Sequence, residues 1–273
     1  MDLEKEVAAH YTTGVLEQQI LDALQSAGVD LSHLKPDDLV AIEDFHIGGR
    51  EATQALAEFM SLRPGMHLLD VGCGIGGPAR YFAGRGCKIT GIDLSEEFIA
   101  TAQNLTRRVQ LESALTFRQA SALELPFDSE TFEGAYEIHV GMNISDKPGV
   151  FREVARVLKH GARFNIFDIM RTRDDSFAFP VPWAKSSETS FVATVTHYRQ
   201  WLNDAGLEIV HERGRHQFAV EFMKKRMAAT ASSNSTLGVN LLMGELAPAM
   251  LKNVNAAIAS GVLEPVELIA VKR

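Results

Sequence analysis

Apolar positions in the first 60 residues recur at helical spacing, with Val15, Leu16, Ile20, Leu21 and Leu24 on one face. A turn-rich stretch leads to Phe45-His46-Ile47-Gly48-Gly49, and residues 51–60 return to strong helix formers. From Met66 the pattern changes to short apolar runs. Residues 67–71 (HLLDV) read as a buried parallel strand that ends in glycines. Gly77-Pro78 opens a helix, with proline in a first-turn position. Further strands are expected at 87–93, 115–120, 132–138 and 162–170. Helices are expected after Ser95, a good N-cap, and over 150–158, where Gly161 reads as the stop.

After Met170 the rhythm breaks. The run Phe177-Ala178-Phe179-Pro180-Val181-Pro182-Trp183 is aromatic and proline-rich, so it is irregular. A helix over 196–205 closes at Gly206, and a sixth strand covers 207–212. Residues 218–258 are mostly helical, with breaks near residues 232–235 and at Pro248, and a last strand covers 265–271. Strict alternation of strand and helix predicts an α/β, Rossmann-like fold: a seven-stranded, mostly parallel sheet with helices on both faces. The expected organisation is an N-terminal helical lid (1–60) and a main domain (61–273). Inserts at about 171–195 and 217–262 complete a helical cap over the carboxyl edge of the sheet.

Composition narrows the function. The chain has 273 residues, 27 Lys+Arg against 35 Asp+Glu and a formal net charge of −8. That balance argues against a nucleic-acid surface, which needs a cationic face. Two cysteines, Cys73 and Cys87, exclude a disulfide framework and a cysteine-rich zinc module, and no metal is expected. The acidic start MDLEKEVAAHYTTG lacks an apolar run, so no signal peptide is expected. No apolar stretch is long enough to span a membrane. The expectation is a cytoplasmic protein without membrane or nucleic-acid partners.

The sharpest motif is Leu68-Leu69-Asp70-Val71-Gly72-Cys73-Gly74-Ile75-Gly76-Gly77-Pro78. Gly72, Gly74 and Gly77 satisfy the GxGxxG spacing, so an NAD reading is open. Asp70, two residues before the first glycine, would sit poorly beside a pyrophosphate and suits a ligand with an ammonium group. Asp93 ends the next strand, where an acid can accept both hydroxyls of an adenosine ribose. Adenosine, a ribose diol and an amino-acid head without phosphate describe S-adenosylmethionine (SAM).

The run LLDVGCGIGGPARYFA resembles motif I of class I SAM-dependent methyltransferases, and ITGIDLSEEFI resembles their second strand and its acid. ALELPFDSETFEGAYEIHVGMNI and FREVARVLKHGARFNIFDI are similar to the segments through their fourth and fifth strands. FHIGGREAT, HVGMNISDKP, FPVPWA and GVNLLMG resemble the bacterial small-molecule group called sarcosine/dimethylglycine N-methyltransferase-like. The resemblance implies SAM as cofactor, with Gly72, Gly74 and Gly76 along its methionine part, Asp93 on the ribose and Leu94 on the adenine. Ser121 and Ala122 match the segment beside the adenine amino group. Many relatives carry Asp where this chain has Ser121, and a hydroxyl accepts a hydrogen bond more weakly than a carboxylate. His46 matches the N-terminal lid segment, near cofactor or acceptor.

Methyl transfer needs a nucleophile aligned with the S–CH3 bond and water kept out; an amine or hydroxyl can also need a base. His139, just past the fourth strand, is the base candidate; the alternative is that it only lines the pocket. Related sugar O-methyltransferases place paired histidines where this chain has Met142 and Asn143. Asn143 is expected to hydrogen-bond acceptor or cofactor. Glu137, counted among the cofactor-binding residues, and Asp168 sit at or near strand ends; either can attract an amine, and Asp168 can equally be a structural acid. Phe179, Trp183, Phe222, Met223 and Met243 are candidates for an apolar cap pocket.

The expected function is methyl transfer to a small molecule, nitrogen slightly ahead of oxygen, by a monomer or homodimer. The alternatives are O- or C-methylation in natural-product biosynthesis, or a SAM-binding protein without catalysis. An NAD-dependent oxidoreductase needs a hydride-transfer partner set that Tyr81 and Tyr136 do not offer. The loop of extruded-base methylators, [DN]PP[YF], is replaced here by His139-Val140-Gly141-Met142.

Overall fold

The computed structural model describes residues 3–43, 45–232 and 243–273. Seven strands form one sheet: β1 (His67–Val71), β2 (Lys88–Asp93), β3 (Leu115–Gln119), β4 (Phe132–Ile138), β5 (Leu158–Arg171), β6 (Leu207–Gly214) and β7 (Leu263–Lys272). Their order is β3-β2-β1-β4-β5-β7-β6. β1 to β5 pair in parallel, whereas β7 runs antiparallel to both β5 and β6. The strand order reverses between β1 and β4, and in open α/β sheets a ligand crevice lies at such a switch point.

Alternation along the buried strands feeds two cores. Leu69 and Val71 face one, packed with Val150, Phe151 and Val154, whereas Leu68 faces the other, with Ala79 and Phe82. Helix α5 (Gly77–Ala83) follows β1, α6 (Glu96–Arg108) follows β2, α7 (Lys147–Val157) precedes β5 and α8 (Val195–Asp204) precedes β6. Ser95 caps α6 as expected, its hydroxyl accepting from Phe98 N at 3.2 Å. Gly161 is not a helix stop. α7 ends at Val157, and β5 starts four residues earlier than the pattern predicts. Gly161 sits inside that strand at φ 76°, where the register with β4 shifts between Phe132 and Gly134. Its left-handed backbone absorbs the irregularity.

The N-terminal segment holds α1 (Leu3–His10), α2 (Leu16–Ser26), α3 (Pro36–Glu43) and α4 (Gly49–Glu58). Residues from α2 and α3, among them Leu16, Ile20, Leu24, Leu39 and Ile42, share a core with Ile75, Phe98 and Leu105 of the main body. Helices α2 and α3 thus pack onto the main body. The late helices are α9 (His216–Ser232) and α10 (Ala247–Ala259). Pro248 lies in the first turn of α10, so it starts a helix where the sequence suggested a break. The break near 232–235 falls largely outside the described residues, as does most of GVNLLMG (238–244). Among the described residues no helix is long and apolar enough to cross a membrane.

Candidate functional site

The glycine turn after β1 is left-handed at Gly72 (φ 70°), Gly74 (φ 52°) and Gly76 (φ 85°), a region closed to most side chains. The three differ in what they face. A Cβ on Gly72 would come within 2.5 Å of Val140, and one on Gly76 within 2.8 Å of Phe117. One on Gly74 would meet nothing within 4 Å. Gly72 and Gly76 are thus required by packing as well as by φ, while Gly74 leaves its backbone open to a ligand.

Asp93 is held on both sides. Its Oδ2 accepts from Gly74 N at 2.9 Å and its Oδ1 from Ser95 N at 2.9 Å. The carboxylate keeps lone pairs free for further donors. Asp70 is buried and accepts from the Tyr136 hydroxyl at 2.9 Å. Burial lifts its pKa to about 8, the Asp93 charge adds to the rise, and the tyrosine bond opposes it. An anionic Asp70 in this pocket therefore calls for a cation.

Two residues not anticipated from sequence hold the turn. Arg80 donates from Nε to Glu43 Oε2 at 2.8 Å, from Nη1 to Thr106 at 3.1 Å and from Nη2 to the carbonyl of Ile75. Arg80 and Glu43 have fully inaccessible side chains. One guanidinium thus fastens the glycine turn to α3 and α6. The sequence carries no signal for it beyond an arginine in an otherwise apolar helix face.

His139 follows β4 at φ 55°, with its backbone N–H donating to Phe167 O at 2.7 Å. Its Nε2 is buried and has no hydrogen-bond partner. Burial, reinforced by the neighbouring His46, pushes its pKa well below 6.5, so the ring is neutral at pH 7. The His46 ring lies 6.0 Å away, edge to face. His46 Nε2 donates to the Gly49 carbonyl at 2.9 Å and lies 3.2 Å from Thr53 Oγ1. Burial takes the His46 pKa down to about 4.

Asn143 is engaged inside the protein. Its Oδ1 accepts from Tyr11 at 3.0 Å, and its Nδ2 donates to Val140 O at 3.3 Å. Tyr11 belongs to a strap formed by α1 and the residues after it. Four separate segments hold this strap: Asn143, Pro182 O through His10 (3.1 Å), Ser121 through Glu4, and Glu97. Glu97 accepts from Thr13 N at 2.6 Å and from Leu16 N at 2.9 Å.

These groups surround one cavity of about 1100 Å³, lined by the glycine turn, the strand ends, the strap and the late inserts. Of the residues singled out in sequence, His46, Asp70, Gly72, Gly74, Asp93, Leu94, Ala122, His139 and Asn143 line it. Gly76, Ser121 and Glu137 are not among the lining residues. Gly76 caps α5 behind the turn, and Ser121 bonds to Glu4, which does line the cavity. Glu137 is buried, with the charges of Asp168 and Lys147 acting on it. Burial and Asp168 drive its pKa up, opposed by Lys147. Trp183, Phe222, Met223 and Met243 line the cavity; Phe179 packs in the apolar cluster behind them.

The open sheet, its switch-point crevice and the paired acids make this an α/β protein with a ligand-sized cavity at its strand ends. Residues 69–166 match the family model described as a methyltransferase domain. Methyltransferase GfsG of Streptomyces halstedii is 30% identical over 177 residues, 63% of this chain and 64% of that protein. Methyltransferase phqN of Penicillium fellutanum is 36% identical over 118 residues, 43% of this chain and 36% of that protein. The chain therefore spans less than two thirds of the length of these curated relatives. In fold, it superposes with a TM-score of 0.69 on the Galdieria sulphuraria structure named for sarcosine dimethylglycine methyltransferase, at 21% identity, covering 84% of this chain and 92% of that one. Residues 69–166 therefore carry a methyltransferase domain, and the fold is shared with solved methyltransferases.

The residues present fit the cofactor of that family. The turn at Gly74 is open, Asp70 calls for a cation, and Asp93 can accept from a diol. Among the described residues no group of three or more His, Cys, Asp or Glu is placed to hold a metal.

Proposed function

We propose that the protein transfers a methyl group from SAM to a small-molecule acceptor. One observation carries the reading: a single cavity joins the Asp70–Gly74–Asp93 edge to a wall built by the late inserts. Bound there, SAM would supply a methyl activated by its cationic sulfur: the S–CH3 electron pair would stay on sulfur, the acceptor's lone pair would form the new bond, and a proton lost by the acceptor would pass to His139 or to water. Asp70 would balance the ammonium head, Asp93 would hold the ribose, and Leu94 and Ala122 would flank the adenine. The strap of α1 closes the cavity and excludes water.

His139 is the base candidate for an acceptor that carries a proton. Its Nε2 is buried and unpartnered, and the ring is neutral at physiological pH, so it can accept. A pKa held well below 6.5 makes it a weak base, suited to an acceptor that acidifies as the new bond forms. Asn143, its amide occupied by Tyr11 and Val140, holds the strap in place in this reading. Glu137, outside the cavity lining, is buried among the charges of Asp168 and Lys147.

A silent SAM-binding protein is disfavoured by the space left beside the cofactor edge. Pockets for one drug-sized ligand run from about 300 to 1,000 Å³, and this cavity exceeds that range. Calorimetry with SAM tests the proposal: micromolar binding is expected, with a loss of about tenfold or more in Asp93→Ala. No binding by the wild type, or unchanged binding by the variant, overturns it. If His139→Ala keeps full turnover from pH 6 to 9, the base assignment falls.

A further inference from the structure

The late inserts build a wall whose chemistry differs from the cofactor edge. Ile47, Met142, Ile169, Trp183, Met223 and Val254 belong to one contiguous apolar cluster and also line the cavity. They come from five parts of the chain: the α4 approach, the His139 loop, β5, the 171–195 insert and helices α9 and α10. The two inserts are tied together, because Asn253 of α10 donates to Pro180 O at 2.9 Å. Trp183 spends its indole N–H on Ser190 Oγ at 2.9 Å. Its polar atom is satisfied within the insert, and the ring presents apolar surface.

Charge on this side runs against an amine. The described residues of the late inserts that line the cavity include one cation, Arg226, one amide, Asn255, and no carboxylate. The lining carboxylates lie elsewhere: Asp70 and Asp93 on the edge proposed for SAM, Glu43 paired with Arg80, and Glu4 on the strap, bonded to Ser121. The fifth, Glu51, stands in the first turn of α4. Against this wall a small ammonium acceptor would face apolar carbon and a guanidinium, and among the described residues the late inserts put no carboxylate beside it to offset its desolvation.

We propose that the acceptor is a largely apolar, uncharged molecule, bigger than an amino acid, seated on the Met142–Trp183–Met223–Val254 wall with its nucleophilic atom toward His139. This rests on the methyltransferase reading of the site. It moves the acceptor away from the sarcosine type named by the narrower resemblance.

The test is calorimetry on the full chain saturated with S-adenosylhomocysteine, using farnesol and decanol as apolar probes and sarcosine and dimethylglycine as charged ones. The proposal expects at least one alcohol to bind at micromolar concentration and the amino acids not to bind. Met223→Trp and Val254→Trp, each filling the wall separately, should weaken that alcohol at least tenfold while retaining S-adenosylhomocysteine binding. A variant that loses S-adenosylhomocysteine or its cooperative melt is set aside for the other. Binding of an amino acid, binding of neither alcohol, or equal alcohol binding by the folded variants overturns the proposal. Failure of S-adenosylhomocysteine to bind the wild type instead overturns the methyltransferase reading.

Discussion

The hydroxyl of Tyr198 donates to Oδ2 of Asp168 at 2.5 Å, and the two oxygens together fill the place where a side chain on Gly141 would go. A Cβ there would lie 2.2 Å from each oxygen. Residues 141–143 form the short turn that carries Met142 and Asn143 into the cavity. Lys147, beside it, donates from Nζ to Ile144 O at 2.7 Å and to Phe191 O at 2.5 Å. A buried polar cluster thus sets the height of the turn under the site. Gly141→Ala should shift the turn and lower acceptor turnover more than SAM affinity. Tyr198→Phe leaves a buried carboxylate oxygen without its donor, a loss of about 1–3 kcal/mol, read as a lower urea midpoint. An unchanged midpoint would refute the role given to this bond.

The Arg80–Glu43 pair gives a second expectation. Breaking a buried ion pair from one side costs ~3–5 kcal/mol. Arg80→Met should fall at the low end, because Glu43 keeps Arg50 at 3.1 Å. The same variant frees the Ile75 carbonyl, so SAM affinity should drop along with stability. The double variant Arg80→Met/Glu43→Leu should regain stability without regaining affinity. Recovery of both would mean that the guanidinium does not hold the glycine turn.

Asp70 predicts a pH dependence of the ligand-free protein. Its pKa is raised from 3.8 to about 8 by burial. Between those values the folded state holds a proton that the unfolded chain has released, so this group's contribution to stability falls as pH rises from about 4 to about 8. His46 and His139, with lowered values, act in the opposite sense below about 6.5. The comparison is therefore wild type against Asp70→Asn, by urea denaturation from pH 4.5 to 8. The wild type should lose stability relative to the variant as pH rises. A flat difference would show that Asp70 titrates normally. SAM binding near pH 7 should also release a proton in the wild type, seen as a buffer-dependent heat, and not in Asp70→Asn.

The strap yields a fourth. Glu97→Ala removes the acceptor for Thr13 N, Thr13 Oγ1 and Leu16 N. If these contacts keep α1 over the cavity, S-adenosylhomocysteine should bind about tenfold more weakly, equivalent to ~1.4 kcal/mol. The melting temperature should change little, since α1 buries only Val7. An unchanged affinity would leave the strap without a part in cofactor retention.

Local pattern was enough for the sheet strands and the glycine turn. The run from Leu68 to Val71 is apolar because β1 is covered on both faces, and the glycines after it must adopt positive φ whatever surrounds them. Asp70 and Asp93 could be placed because strand ends in an open α/β sheet converge on one crevice. Three placements went beyond that pattern. Gly161 has the same left-handed backbone in a bulge as at a helix end, so its residue type could not separate the two. Glu137 sits one residue from Tyr136, and strand alternation turns it to the face opposite Asp70. Asn143 was available to a ligand until Tyr11, 132 positions away, took its carbonyl oxygen.

The sequence by itself therefore determined the α/β class, the glycine turn and the two acids that flank it. Those features depend on residues within a few positions of each other, where φ preference and strand period act directly. Only the tertiary structure decided what the cofactor edge faces. The wall of Met142, Trp183, Met223 and Val254, the Arg80 clamp and the strap over the cavity join segments far apart in the chain. Their chemistry arises from burial and from which charges are left unbalanced, and neither exists until the chain has folded.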